Sequence, residues 1–184
     1  MNGMEDILQT PEITVLGIGN VVLQDEGFGV RAAELLDSKY DFPGQVQVLD
    51  GGTLGMELLR FVTGTKKLLI LDSINGGVEP GTFFRLADAE IAAHFQEKLS
   101  VHEVGIQDVL ALLSVTDKEI PEVIVLGVQP FAVTAGVGLT EDMAALLPSI
   151  EEKALAELKR WGVQYTKKQA GGKVSFKTVA EDHK

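Results

Sequence analysis

Short apolar runs alternate with segments of helical spacing in the first half of the chain. Three runs have the length of buried strands and are followed by Gly-rich or Asp-containing breaks, namely residues 13–16, 46–49 and 67–71. Between them, residues 30–36 and 54–61 repeat apolar positions in the way that one face of a helix does. Strands separated by single helices predict parallel pairing through right-handed crossovers. The pattern therefore predicts an α/β fold.

The second half of the chain is less regular but extends the same sheet. Residues 82–86 alternate like a strand that pairs antiparallel at an edge, and residues 123–128 form another buried apolar run. Residues 141–161 predict a long helix with Thr140 as its N-cap, and Pro148 should kink this helix or divide it. We expect a three-layer α/β fold in which helices flank both faces of a mostly parallel twisted sheet with one antiparallel edge strand.

The length of the chain fits one domain, because 184 residues suffice for a substantial core. We predict a single α/β domain over residues 1–165. Beyond it the chain becomes polar and basic, with four lysines around a Gly-Gly pair: Lys167, Lys168, Lys173 and Lys177. This composition predicts a loosely held C-terminal tail over residues 166–184.

Charge and composition exclude several classes of function. The formal net charge of −11 argues against nucleic acid or an anionic membrane as a partner, since both require clustered Lys and Arg. The chain contains no cysteine, so disulfides and thiol catalysis are excluded and any metal site must use His, Asp or Glu. Residues 1–10 lack the regions of a signal peptide, and no apolar run is long enough to span a bilayer. We expect a cytoplasmic protein.

A glycine-rich turn with two adjacent acids connects the first strand to the first helix. It covers residues 17–29 and holds Asp25 and Glu26 where the helix begins. The acids could simply be stabilised by the helix dipole, which favours negative charge at a helix N-terminus, or one of them could face a cation. A dinucleotide-binding loop is a poor alternative, because Val22 occupies the place of the third glycine and acids follow where pyrophosphate would bind.

Further polar side chains follow the other predicted strands. Asp50 ends the second strand, Asp72 ends the third, and His102 lies in a loop that opens a later helix. Because parallel strands end at one edge of a sheet, we expect these residues to converge with Asp25 and Glu26. Two carboxylates and one imidazole suit a divalent ion with open positions. The alternative for Asp50 and Asp72 is that each carboxylate only accepts hydrogen bonds from its own turn.

Taken together, these residues resemble a known family. The matching pieces are Gly-Ile-Gly-Asn at 17–20, Asp-Glu-Gly-Phe-Gly at 25–29, Asp-Gly-Gly-Thr at 50–53, Leu71-Asp72, and His102 with Gly105. In this combination they resemble the hydrogenase maturation endopeptidases, and the resemblance covers residues 13–165. It implies an enzyme that removes the C-terminal extension from the precursor of the nickel–iron hydrogenase large subunit after nickel has been inserted.

The resemblance also implies roles for individual residues. Glu26, Asp72 and His102 fall on the family's metal-contacting positions and would form the catalytic and metal site. The nickel would arrive in the substrate precursor, although another divalent ion could replace it. Asp25, Asp50 and Glu103 are second candidates that could orient ligands or contact the precursor. Glu103 stands where the family often has Gln, and it also has capping-box spacing to Ser100.

Two alternatives remain open at this point. The same fold could serve a metal-sensing assembly chaperone that docks the precursor without cutting it. A peptidase of the germination-protease type, which the family is thought to resemble in fold, is the second alternative. The mass of the precursor after incubation separates a protease from a chaperone.

Overall fold

The computed structural model describes residues 11–87, 89–91, 93, 109–169 and 177–178. In chain order the strands are β1 (Ile13–Ile18), β2 (Tyr40–Asp41), β3 (Val46–Gly52), β4 (Lys67–Ser73), β5 (Phe83–Ala87), β6 (Glu122–Val128), β7 (Thr166–Lys167) and β8 (Lys177–Thr178). Six of them form one sheet in the order β5-β6-β4-β1-β3-β8. All neighbours in this sheet are parallel except β5, which pairs antiparallel with β6 at the edge. The predicted fold class and its antiparallel edge strand are confirmed.

The helices lie near the predicted positions, although the one predicted over residues 54–61 is only a 3-10 turn followed by one short α-helix. They are α1 (Phe28–Lys39), α2 (Leu59–Val62), α3 (Glu141–Ala144) and α4 (Leu147–Arg160), with helical residues also at 89–91 and 109–115. Single 3-10 turns precede α1 and α2 at Gln24–Gly27 and Met56–Leu58. Within the part of the chain that the structure describes, none of these helices combines the length and the apolar character needed to cross a membrane.

The long helix predicted over residues 141–161 is divided in two, as the proline indicated. Pro148 lies in the first turn of α4, where its missing N–H costs no helical hydrogen bond. The Thr140 side chain caps α3 by accepting a hydrogen bond from Met143 N at 3.2 Å. The first acids of α3 follow this cap directly, so local sequence determines where the helix begins.

Two apolar cores lie on the two faces of the sheet. Alternate residues of β1 point to opposite faces, so Val15 belongs to one core and Leu16 to the other. The first core is closed by α1 and α4, and the second by α2 and by helical residues 109–115. Strands covered on both faces explain why the sequence shows continuous apolar runs rather than strict alternation.

The segment after α4 returns to the domain. Thr166 and Lys167 form β7, which pairs antiparallel with β2, and Lys168 N donates to Lys39 O at 2.8 Å. Lys177 and Thr178 form β8 beside β3. The domain boundary at residue 165 stays a prediction.

Candidate active site at the carboxyl ends of the strands

The register of the sheet brings the predicted acids to one edge. Gly17 lies beside both Asp50 of β3 and Leu71 of β4, and Asp72 lies beside Gly127 of β6. The turn after β1 therefore shares this edge with the ends of β3, β4 and β6. The edge is the place where open parallel sheets bind ligands.

Glycines allow the turn after β1 to lie directly on the sheet. A Cβ atom on Gly29 would lie 2.0 Å from Leu71 O, the carbonyl that precedes Asp72. Gly19 adopts a φ of 136°, and a Cβ atom there would lie 1.8 Å from Glu26 O. The 3-10 turn Gln24–Gly27 consequently contacts β4, and Glu26 is held on the same edge as Asp72.

The backbone is strained just before the two acids. Gln24 has a φ of 49°, a left-handed conformation that a residue with a side chain rarely adopts. Surrounding contacts hold it there: Gln24 N donates to Gly136 O at 3.1 Å, and Thr134 Oγ1 bonds Gln24 Oε1 at 2.6 Å. Strain of this kind is concentrated at functional sites, where neighbouring structure maintains it.

Asp25 is fully buried and anchors the loop after β6. Its Oδ2 accepts hydrogen bonds from Phe131 N at 3.0 Å, Ala132 N at 2.9 Å and Thr140 Oγ1 at 3.0 Å. Its Oδ1 accepts one from Thr140 N at 2.8 Å. Four donors thus occupy both carboxylate oxygens, and solvent does not reach the side chain. Asp25 fixes the loop that borders the site.

Glu26, Asp72 and Asp50 differ from Asp25 in their surroundings. Glu26 is partly exposed. Asp72 is only 4% exposed, and its Oδ1 accepts a hydrogen bond from Ser73 N at 2.7 Å. Asp50 is partly exposed and accepts from Gly52 N at 2.8 Å, the local turn bond that was the alternative to a ligand role. The ligand roles of Glu26 and Asp72 stay predictions.

The two other predicted site residues, His102 and Glu103, lie outside the described residues. Among the residues that are described, no group of three or more His, Asp or Glu side chains is arranged to hold a metal. Carboxylate oxygens of Glu26 and Asp72 suit a divalent cation chemically, and the buried, fully bonded Asp25 does not. The ligand role of His102 stays a prediction.

Gln129 is a site-bordering residue that sequence reasoning missed. It follows β6, is 6% exposed, and accepts a hydrogen bond from Gly76 N at 2.7 Å while donating to Asn75 Oδ1 at 3.1 Å. These bonds hold the loop after β4, next to Asp72. The sequence shows only that Gln129 stands between a buried strand and Pro130. That position does not indicate a role until the fold shows which loop the side chain contacts.

Ion pairs and hydrogen bonds on α4 and its neighbours shift the pKa values of several side chains. The Arg85 guanidinium, which hydrogen-bonds Glu157, lowers the pKa of that carboxyl, and Arg160 adds to the effect against the opposing influence of burial. The hydrogen bond to Glu151 raises the pKa of Tyr40 to about 12. These pairs fasten α4 to β5 and to the end of α1.

The chain is similar in sequence to known proteins of one family. The family model described as hydrogenase maturation protease matches residues 30–157. Hydrogenase 2 maturation protease of Escherichia coli strain K12 is 39% identical over 159 residues, covering 86% of this chain and 97% of that protein. Hydrogenase expression/formation protein HupD of Rhizobium leguminosarum bv. viciae is 37% identical over 166 residues, covering 89% of this chain and 82% of that protein.

A solved structure has the same fold. The hydrogenase maturating endopeptidase HybD from Escherichia coli superposes with a TM-score of 0.82 at 39% identity, covering 85% of this chain and 98% of that chain. The protein is therefore a peptidase-type α/β domain, and it belongs to the hydrogenase maturation protease family. The resemblance drawn from the sequence motifs is confirmed.

Proposed function

We propose that this protein is an endopeptidase that removes the C-terminal extension from the large-subunit precursor of a nickel–iron hydrogenase after nickel insertion. The observation that carries the proposal is the pair Glu26 and Asp72 on one sheet edge, in a chain of this family. Nickel belongs to the substrate in this proposal and acts as the element that is recognised.

The chain's own residues restrict the chemistry. The chain contains no cysteine and no strong serine motif, so neither a thiolate nor a recognisable serine nucleophile is available. We infer that water itself adds across the scissile C–N bond. Glu26 and Asp72 supply anionic oxygens at the edge, with His102 proposed as the third contact. A divalent ion held there would polarise the scissile carbonyl or acidify a bound water. Asp25 and Gln129 keep the bordering loops in place while the extended substrate enters.

The test compares nickel-loaded and nickel-free precursor as substrates, with product masses measured after incubation. We expect cleavage of the loaded precursor only. A stable complex without any change in mass would instead identify a non-cleaving chaperone. Equal cleavage of both forms would contradict nickel recognition and leave a peptidase of another specificity, such as the germination-protease type.

A matched pair of variants tests the site itself. Glu26→Gln keeps the side-chain shape and removes one charge from an acidic edge, so we expect circular dichroism to be unchanged and cleavage to be lost. Glu152→Gln makes the same chemical change at an exposed position of α4 and should cleave like the wild type. If Glu26→Gln cleaves equally well, Glu26 is not a site residue. His102→Ala tests the third contact in the same assay.

A further inference from the structure

Exposed large hydrophobic side chains are concentrated at one edge of the sheet. Among the described residues there are seven, and six of them follow the carboxyl ends of β1, β3, β4 or β6. We call these six the apolar rim: Val22, Met56, Val78, Phe131, Val133 and Val137. The seventh, Val115, lies at the end of helical residues 109–115. Single exposed hydrophobic residues are ordinary, but their concentration around one candidate site indicates a contact surface.

The loops that carry the apolar rim are hydrogen-bonded to one another. Gly136 N donates to Val22 O at 3.0 Å, so the loop after β6 runs beside the turn after β1. On the other side, a Cβ atom on Gly81 would lie 3.0 Å from the Phe131 ring, so the loop after β4 contacts the loop after β6. The loops after β1, β4 and β6 therefore form one continuous surface beside Glu26 and Asp72. Gly19 N donates to Gly52 O at 2.9 Å, which joins the segment that carries Met56 to the turn after β1.

Buried polar side chains fix the backbone of the loops that form this surface. Asp25 accepts hydrogen bonds from Phe131 N and Ala132 N, and Gln129 binds Gly76 N in the loop that contains Val78. Val78 and Phe131 remain 45% and 39% exposed although buried groups fix their backbones. A surface ordered before binding avoids part of the entropy cost of association.

The charges between the members of the apolar rim all have one sign. Residues 19–27, 53–58, 74–82 and 129–140 contain no Lys or Arg. Their charged residues are acidic: Asp25, Glu26, Glu57 and Glu79. Of these, Glu57 and Glu79 are exposed beside Met56 and Val78. Apolar contacts next to exposed acids complement a partner that offers apolar side chains next to cations.

We propose that the apolar rim docks a polypeptide segment of the precursor in which apolar side chains stand beside Lys or Arg. This inference rests on the proposed function and deepens it, because it assigns substrate recognition to protein contacts as well as to nickel. The rim surrounds the candidate site, so a segment held there would present the neighbouring peptide bond to Glu26 and Asp72.

The experiment measures binding and cleavage separately. Binding is measured by biolayer interferometry with nickel-free precursor, because this form should not be cleaved. Cleavage is measured with nickel-loaded precursor, which gives kcat and KM. For the double variant Val133→Ser with Val137→Ser we expect the Kd and KM to rise about tenfold or more, at unchanged kcat. Val115→Ser makes the same change at a position 78% exposed and should leave all values unchanged.

A second pair tests the charge complement. Glu79→Lys should weaken binding by about tenfold at low salt, and the loss should shrink in high salt. Glu119→Lys, an exposed acid before β6, should bind normally. Circular dichroism confirms that each variant is folded. Wild-type affinity in both the Val133→Ser/Val137→Ser variant and the Glu79→Lys variant would overturn the docking inference.

The docking inference and the proposed function fail in different ways. Cleavage by the wild type together with unaffected rim variants removes the docking surface and leaves the endopeptidase. Rim-dependent binding without any cleavage by the wild type keeps the docking surface and removes the endopeptidase. If the wild type neither binds nor cleaves the precursor, both are wrong.

Discussion

Replacement of Asp25 by Asn tests whether the acid beside Glu26 is a structural anchor. The exchange keeps the size of a fully buried side chain and removes its charge. One amide oxygen can still accept hydrogen bonds from Phe131 N and Ala132 N. The new NH2 group, placed where Oδ1 stood, faces Thr140 N, which is itself a donor. Two buried donors then meet without an acceptor between them.

The size of the effect follows from these contacts. A hydrogen bond to a charged group contributes about 1.5–3 kcal/mol, and a buried donor left unsatisfied costs about 1–3 kcal/mol. We expect Asp25→Asn to lower the free energy of unfolding by about 2–5 kcal/mol. For a domain of this size, each 1 kcal/mol corresponds to about 2–4 °C in Tm, so the Tm should fall by roughly 10 °C.

Urea unfolding and calorimetry measure this loss, with Asp142→Asn as the matched control. Asp142 is exposed in the first turn of α3, near the same loop. Its replacement by Asn removes the same charge, so the free energy of unfolding should fall by less than about 1 kcal/mol. If Asp25→Asn is as stable as this control, the four hydrogen bonds do not hold the loop. Unchanged stability with lost cleavage would indicate that Asp25 acts directly in the site.

Two further predictions concern packing and pH. Gly29→Ala places a methyl group 2.0 Å from Leu71 O, so we expect calorimetry to show a loss of about 3 kcal/mol, whereas Gly44→Ala enters open space and should cost little. The lowered pKa of Glu157 means that its ion pairs stabilise the fold above its ordinary pKa of 4.5 and are lost as the pH falls through the lowered value. In urea unfolding, Glu157→Gln should therefore cost about 1 kcal/mol at pH 7 and less at pH 3. A cost independent of pH would contradict this assignment.

The hydrophobic pattern was sufficient to predict the five long strands of the main sheet and their order along the chain, but not the two-residue strands β2 and β7. Runs such as residues 67–71 are apolar throughout because helices cover both faces of the sheet. The sequence alone therefore indicates that these strands are buried. The cap at Thr140 and the division at Pro148 were also predictable, since both depend on the local backbone. Parallel topology then places the strand ends, and the acids that follow them, at one edge.

Only the tertiary structure distinguished the acids from one another. Asp25 and Glu26 are neighbours in sequence, yet the donors that occupy Asp25 belong to Phe131, Ala132 and Thr140, more than 100 residues away. Gln129 likewise gains its role from a loop 53 residues earlier in the chain. No local pattern contains such contacts, because they exist only when the strand ends come together. Sequence thus determined which residues could meet at this edge, and the packing of distant loops decided that Asp25 is fully buried and hydrogen-bonded while its neighbour Glu26 is partly exposed.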